Sequence, residues 1–523
     1  MVLLTLFPGA SVRAADGAAL YQQHCAMCHQ ARGQGVEGIF PPLAGSDYIV
    51  KHRESSLRAL LEGLSGPIEV NGKAYNAAMP LLALKDEEVS AVMTWVFSQW
   101  GNTAPAVTLE EVAGVRAKTK YPKWEDLNAA SACLPPPPSP PGWTLKAGPE
   151  LPIQPVRMAR HPVTAEILIL AASGEIWAWH PEKPALRLFL PPNYVGGGAM
   201  CLGLCVDRTG RLLISSNQVD NTRSPVESVI TIWRTPPLTA EAAPAPPIWL
   251  RLRYPHGIGG FNHGVSAIVQ GPDDFLYMAS GSRTDGNEPG TLEDHYQGGE
   301  IPLTASVWRI NPHSTNPYPV IWCSGLRNPY GLAFDPSGRL WATDNGPDAD
   351  RHEELNLLTQ GAHYGFPYQF AAFPASDRPY PYTPAPPRGL TFALPVMNTG
   401  PDGGGTAGKP TGTFDPHSCP CGFVWMDGPA CPPADRGSFF VTRYGNLLAG
   451  KDSGFDLLRV RPSLLPDGRW EAEVKVLATP LARPIDIIEY SPGRLFIAEF
   501  CRAVNFQGGI GQPGRLLEMT AAP

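Results

Sequence analysis

The sequence predicts a multidomain chain: a small all-α unit followed by an all-β propeller of six blades. Three observations carry this. Helical periodicity frames the stretch up to about Asn102, a run of prolines follows, and beyond it one short phrase returns six times. With 523 residues the chain exceeds what one hydrophobic core usually serves. Only 17% of residues are charged while Pro (59) and Gly (54) are abundant, which suits loop-rich β structure and is too apolar for disorder. The formal charge of -7 comes from scattered groups. No Lys/Arg block could neutralise a run of phosphates, which argues against nucleic acid as a partner.

In chain order, residues 1–15 read as the later part of a secretory signal, an apolar run followed by small residues around Ala14 and Ala15. The charged start is missing, so a plain apolar tail is the alternative. No later stretch reaches the roughly 18 apolar residues of a membrane span. The expectation is an exported, periplasmic and soluble protein without a transmembrane segment. Residues 16–104 form the helical unit, with one helix from Gly17 to Cys25 and a closing helix from Asp86 to Trp100 that carries Val89, Val92, Met93, Val96 and Trp100 on one stripe. Residues 105–142 are an extension and linker. Pro135 to Pro138, Pro140 and Pro141 donate no backbone hydrogen bonds and favour extended polyproline geometry, a semi-rigid spacer.

Residues 143–523 hold the phrase, a turn with Asp, Gly or Ser and then a period-two apolar strand. It starts at Ala172, Asp207, Gly271, Asp335, Asp435 and Ser491. Repetition with variable loops is what radial stacking of small sheets requires, since each blade buries its faces against its neighbours. A β-sandwich of ordinary hairpins is the alternative.

The segment Cys25-Ala26-Met27-Cys28-His29 is Cys-x-x-Cys-His. Two thiols form thioethers to porphyrin vinyls and the adjacent imidazole falls on the iron, so one covalent haem c is expected on Cys25 and Cys28 with His29 as axial ligand. A thioredoxin-like or metal-binding pair is the competing reading. The sixth ligand is expected from Met79, in Ala77-Ala78-Met79-Pro80, with Met93 on the helix stripe as the competitor and Met27 locked in the attachment loop. A carbonyl within Pro41 to Gly45 can accept the other imidazole proton of His29 and fix its tautomer. This segment resembles the class I cytochromes c from about Ala15 to Asn102, including the Met-Pro loop and the closing helix.

Eight further cysteines, Cys133, Cys201, Cys205, Cys323, Cys419, Cys421, Cys431 and Cys501, are compatible with disulfides in an exported chain. Free thiols are the alternative. A zinc site is weaker, because Cys419-Pro-Cys421 lacks the usual two-residue spacer.

The most informative stretch of the large unit runs from Gly325-Leu326-Arg327-Asn328-Pro329-Tyr330-Gly331 through Asp344-Asn345-Gly346-Pro347 to Glu354 and Gly361-Ala362-His363-Tyr364-Gly365-Phe366-Pro367. It sets an Arg-Asn pair and a Gly-Pro turn at strand ends, where loops rim a propeller channel. A cation beside exposed carbonyls suits an anionic cofactor and a hard cation. Here the sequence resembles the soluble quinoprotein glucose and sorbosone dehydrogenases, six-bladed propellers that bind pyrroloquinoline quinone (PQQ) with calcium and oxidise aldoses. The resemblance runs over roughly Trp143 to the end and is loosest in the flanking blades.

The resemblance implies calcium at PQQ on the carbonyls of Gly346 and Pro347, and a second calcium at Glu354 and the Tyr364 carbonyl, against a solvated acid for Glu354. It implies Arg327 and Asn328 against the quinone, against an Arg that ties blade edges. It implies His263 as catalytic base, with His256 as the nearest rival. The family usually has an acid before this His, where Asn262 stands here. Arg443 and Arg483 are candidates for the PQQ carboxylates, and ordinary strand-end salt bridges are their alternative. The implied function is a PQQ-dependent sugar dehydrogenase that passes electrons to its own haem and on to a downstream redox acceptor. The rival is a non-catalytic carbohydrate- or partner-binding propeller beside an electron carrier.

Overall fold

The structure is a computed structural model. It describes residues 16–30, 32–35, 40–64, 66–75, 79, 81–82, 84–119, 122–123, 134–241, 243–257, 262–289, 296–349, 351–374, 376, 378–380, 382–402, 412–446, 453–502 and 513–522. The signal-like segment, Cys133, and Ala77, Ala78 and Pro80 of the Met-Pro loop lie outside the described residues. The chain divides into two compact units, residues 1–130 and 131–523.

In the first unit, helix α1 (Gly17–His24) begins where Asp16 accepts hydrogen bonds from the backbone N–H groups of Ala18 (3.0 Å) and Ala19 (3.3 Å), a cap worth about 1 kcal/mol. The one-turn helix α2 (Ala26–His29) follows. Helices α3 (Asp47–Lys51) and α4 (Arg53–Glu62) lead to α5 (Asp86–Ser98), which packs on α1. Val89, Val92, Met93, Val96 and Phe97 of α5 are buried. The expected closing helix ends two residues early, because Gln99 is extended and Trp100 takes φ +53°, which breaks the α-helical hydrogen-bond ladder. Trp100 instead packs its ring against Tyr21, with centroids 5.0 Å apart.

A further helix, α6 (Leu109–Arg116), forms in the segment read as extension. Its Val112 and Val115 are buried, Arg116 meets Asp86 at 2.6 Å, and Arg53 meets Glu111 at 2.5 Å, so it belongs to the helical core.

The second unit is a six-bladed propeller. The innermost strands, Pro155–Arg160, Met200–Val206, Val265–Gln270, Pro329–Phe334, Pro420–Met426 and Pro484–Ser491, each contact the next, and the sixth contacts the first, so the ring closes. Each opens an antiparallel sheet; blade four has three strands and blade five has five, its outermost strand Met397–Pro401 running parallel to its neighbour. Strand Trp143–Glu150, first in the chain, is the outermost strand of blade six beside Arg515–Ala521. Separate apolar clusters fill the seams between blades, such as Ile230, Ile232, Ile268 and Met278 between blades two and three.

The recurring phrase has a physical cause. At Asp207 and Asp335 the carboxylate accepts from the N–H two residues on (2.8 and 2.9 Å) and four residues on (2.9 and 3.1 Å), while Gly210 and Gly338 take φ +77° and +81°. The side chain thus closes the turn and the glycine supplies a conformation that other residues rarely adopt. One phrase falls in each blade. Five announce the second strand, whereas that from Ala172 announces the third strand of blade one (Ile176–His180).

Arg157 lies across the channel. Its guanidinium donates to the carbonyls of Leu202 (3.2 Å), Ser266 (3.3 Å) and Tyr330, lies 3.5 Å from Asp486, and stacks 4.2 Å from the Tyr330 ring centroid. Five inner strands are tied by one cation, which pays for its burial with carbonyl dipoles and one carboxylate.

Candidate functional site

At the haem-attachment segment, Cys25, which precedes α2, and His29, its last residue, are both buried. His29 Nδ1 lies 2.9 Å from the Pro41 carbonyl. A carbonyl only accepts, so Nδ1 carries the proton and Nε2 is left with its lone pair. Burial lowers the His29 pKa, which the Pro41 contact partly opposes. Met79 pairs its backbone with Leu64 (2.8 and 2.9 Å), and its half-buried side chain packs on the unit's core. Met93 is buried at 4% exposure within that core. The side chain of Met27 lies outside the described residues.

In the propeller, four segments leave the ring at the same end: the one before blade three with His263, the Ser280–Ser306 connection, the one before blade four with Arg327 and Asn328, and the Asp344–Glu354 connection. They bring His263, Arg327 and Asn328 together. A Cβ built on Gly281 would lie 2.5 Å from the His263 Cβ and 3.3 Å from Asn328 Oδ1, so only glycine lets the two approach there. The His263 backbone N–H donates to the Ser282 carbonyl (2.9 Å), and Nδ1 lies 3.2 Å from both the carbonyl and the hydroxyl of Ser282. Burial and then the nearby Arg327 charge push the His263 pKa down to about 3. Asn262 turns elsewhere: its Oδ1 accepts from Ser228 Oγ (3.2 Å) and the Gly257 N–H (3.1 Å), while His256 Nδ1 meets Ser228 Oγ at 2.9 Å.

Arg327 donates to Asp285 through Nε (3.0 Å) and a terminal nitrogen (2.5 Å), and to the Asn345 carbonyl (3.3 Å). Burial opposes its charge, but Asp285, Asp348 and Tyr380 together outweigh burial and raise its pKa. Tyr380 donates its hydroxyl to the other Asp285 oxygen, and the Asp348 N–H also reaches Asp285 (3.3 Å). The N–H groups of Arg327 and Asn328 donate to the two oxygens of Asp344 (3.0 and 2.6 Å), which fixes the direction of both side chains.

Beside Arg327 a cavity of about 10 Å³ is lined by Asp344, Asn345, Gly346, Pro347, Glu354 and Tyr364, among others, the scale of one water or ion. Glu354 is 7% exposed, so it is no solvated acid. Its oxygens accept from the Ala371 N–H and Asn356 Nδ2, both at 2.8 Å. Asp344 and Glu354 face each other across a strand pair, and burial raises both pKa values. The Asn345 Oδ1 is buried without a hydrogen-bond partner. Among the described residues no group of three or more His, Cys, Asp or Glu side chains could hold a metal, so cation binding here would draw on backbone carbonyls.

Arg443 ends the second strand of blade five, and Arg483 directly precedes the innermost strand of blade six. Arg443 makes a bidentate pair with Asp456 (2.9 and 2.7 Å), the strand-end ion pair named as its alternative. Arg483 is fully buried between the rings of Tyr444 and Phe455, both 4.9 Å away, and reaches the carbonyls of Gly445 (3.4 Å) and Asn446 (3.3 Å). Cys201, Cys205, Cys323, Cys419, Cys421 and Cys431 form no disulfide.

Sequence reasoning missed Ser282, Asp285, Asp344, Asp348 and Tyr380. The one available signal was the polar loop Gly281-Ser282-Arg283-Thr284-Asp285-Gly286, which directly follows a phrase strand in the same blade as His263.

The sequence profile of the cytochrome c family matches residues 14–100, and that of the glucose / sorbosone dehydrogenase family matches residues 252–383. Cytochrome c-552 of Thermus thermophilus is 42% identical over 133 residues, 24% of this chain and 89% of that protein. Quinoprotein glucose dehydrogenase B of Acinetobacter calcoaceticus is 40% identical over 65 residues, 12% of this chain and only 13% of that protein. A solved glucose dehydrogenase superposes with a TM-score of 0.51 at 18% identity, covering 73% of this chain and 100% of that one, a likeness of fold. No helix among the described residues is long and apolar enough to cross a membrane. The attachment motif, the closed ring of six blades and these likenesses converge: the chain belongs through its first unit to the cytochrome c family, with a covalent haem c, fused to a six-bladed propeller like those of the PQQ dehydrogenases.

Proposed function

We propose that the propeller is a PQQ- and calcium-dependent sugar dehydrogenase, exported to the periplasm, that reduces the haem c of its own chain and through it a downstream redox acceptor. The observation that carries this reading is His263 beside Arg327 and Asn328 at one end of the ring, where only a glycine fits between them. The donor set suits the implied groups: a guanidinium for an anionic quinone, and the Gly346 and Pro347 carbonyls near an orphaned Asn345 Oδ1 for a hard cation. Glu354 and Tyr364 are the candidates for a second calcium. Arg443 and Arg483 remain candidates for the PQQ carboxylates, and such binding would have to displace their present partners.

PQQ, when bound, supplies a quinone carbonyl that accepts hydride. His263, neutral at physiological pH, takes the hydroxyl proton of the sugar. Arg327, kept charged by Asp285, polarises the acceptor carbonyl, and Asn328 orients it. On the haem side, Cys25 and Cys28 would hold the macrocycle, and His29 and Met79 would bind its iron. A thioether ligand favours ferrous iron and suits an electron acceptor. The covalent link between units raises the effective concentration of acceptor for donor.

Haem-loaded protein incubated anaerobically with PQQ, calcium and a panel of aldoses tests this. Reduction of the haem bands by a sugar only when both additions are present supports the enzyme. No calorimetric PQQ uptake and no sugar-driven reduction leaves a non-catalytic binding propeller beside an electron carrier.

A further inference from the structure

Among the described residues no carboxylate is hydrogen-bonded to the base assigned above, and its ring meets Ser282 instead. Ser282 Oγ donates its one proton to the Thr284 carbonyl at 2.6 Å. Toward His263 that hydroxyl can therefore only accept, and the Ser282 carbonyl can only accept as well. Nδ1 must carry the hydrogen, which leaves the Nε2 lone pair as the one available to a substrate proton. Ser282 is 1% exposed, and its N–H donates to the Arg327 carbonyl at 2.6 Å. The same residue therefore ties the base to the backbone that carries the candidate quinone-facing pair.

We infer that Ser282 is the positioning residue for His263, holding the imidazole in one tautomer through a neutral hydroxyl and carbonyl and leaving its protonated form without an anionic partner. This rests on His263 being the base. Because a hydroxyl cannot stabilise an imidazolium as a carboxylate does, the base stays neutral and competent well into acid pH. Among the described residues the charged group that acts on His263 is Arg327, from the segment before blade four, and it acts in the same direction. The sugar proton is then held only in passing and must move on to solvent before the next turnover.

The test uses full-length, haem-reduced protein with 15N-labelled histidine, without PQQ or sugar, the His263 signals being identified by their loss in His263→Gln. The wild type should show protonated Nδ1 and an unprotonated Nε2 down to at least pH 5. Ser282→Asp should raise the His263 midpoint by one pH unit or more. Ser282→Ala should shift the tautomer signals toward a mixture. Unchanged tautomer signals in Ser282→Ala, or an unchanged midpoint in a folded Ser282→Asp, overturns the inference. With PQQ, calcium and sugar, Ser282→Ala should lower kcat by about tenfold with KM little changed, the scale of one hydrogen bond. Its acid limb should stay where the wild type's is, while that of Ser282→Asp moves up in pH. The nitrogen signals need no cofactor, so a propeller that takes up no PQQ sinks the dehydrogenase reading and leaves the Ser282 result to stand or fall by itself.

Discussion

His29, buried, and His263, half-buried, are two imidazoles held in the same way under different local charge. Each sets Nδ1 against oxygen, the Pro41 carbonyl at 2.9 Å in one and Ser282 at 3.2 Å in the other, and burial lowers both pKa values. The difference lies in the neighbours. Among the described residues His29 is paired with the Pro41 carbonyl dipole and no charge shifts it, which suits lasting donation of its lone pair to a metal. His263 stands beside the Arg327 guanidinium, so a proton taken up at its ring is repelled and released again. The tautomer says which nitrogen acts, and the charge nearby decides whether what it receives is kept.

Exchanging the two histidines in turn should separate these roles most sharply. His263→Ala should cut sugar-driven haem reduction by about 10²–10⁴-fold, the usual loss of a general base, with the haem bands unchanged. His29→Ala should alter the bands themselves. A His263→Ala protein as active as wild type would end the parallel.

The ion pairs of the two units allow a second contrast. Asp285→Ala removes the acid hydrogen-bonded to the buried Arg327 guanidinium, and denaturant unfolding of the propeller should lose about 3–5 kcal/mol. Asp86→Ala leaves Arg116 its bond to the Leu84 carbonyl and removes a partly exposed acid, so its loss should be smaller. Equal losses would show that burial of the acid is not what separates the pairs.

The methionines sharpen the haem side. Met79→Ala should lower the haem potential, while Met93→Leu, a volume-conserving core swap, should cost less than about 1.5 kcal/mol and leave the potential alone. Potentiometric titration of both variants checks this, and a fall in Met93→Leu alone would reverse the assignment.

The smallest effect expected is on pH dependence. Burial pushes the Glu353 pKa up to about 8 although it accepts from Ser418 Oγ (3.0 Å) and the Cys419 N–H (2.6 Å). The folded chain then holds a proton that the unfolded chain releases, so stability falls as pH rises from about 4.5 toward 8. His263 works from the acid side: the unfolded chain binds its proton first, and stability falls as pH drops from about 6.5 toward 3. In calcium-free buffer, Glu353→Gln should flatten the alkaline slope of Tm and leave the acid one. No change in the alkaline slope would mean Glu353 is ionised in the folded protein.

What the sequence disclosed divides along covalent adjacency. The attachment motif compresses its chemistry into five residues, and the turn phrase closes on itself through an Asp and a Gly, so both can be read locally. The Asp16 cap and the α5 stripe are likewise local. The first phrase was one strand late because the turn ahead of Ile167–Ala171 is built on His161, whose ring nitrogen accepts from Val163 and Thr164, with no Asp or Gly in the phrase's places. Asp285 and Arg327 are far apart in sequence and meet only because two loops leave the ring at one end. Helix α6 was missed because its partners, Asp86 and Arg53, lie in earlier helices. The backbone bonds that orient Arg327 and Asn328 come from Asp344, whose role no spacing rule announces.

The outermost strand of blade six has a consequence for how the protein is made. Strand Trp143–Glu150 is synthesised before every other strand of the propeller, and its partner Arg515–Ala521 after all of them. While the chain is being made and exported, the early strand waits with an unpaired edge, a template for the wrong neighbour. The helical unit, whose described helices all precede the prolines, can fold in the meantime. Truncation within the last strand would therefore leave the latch open and the chain prone to aggregate, even with every residue near His263 intact.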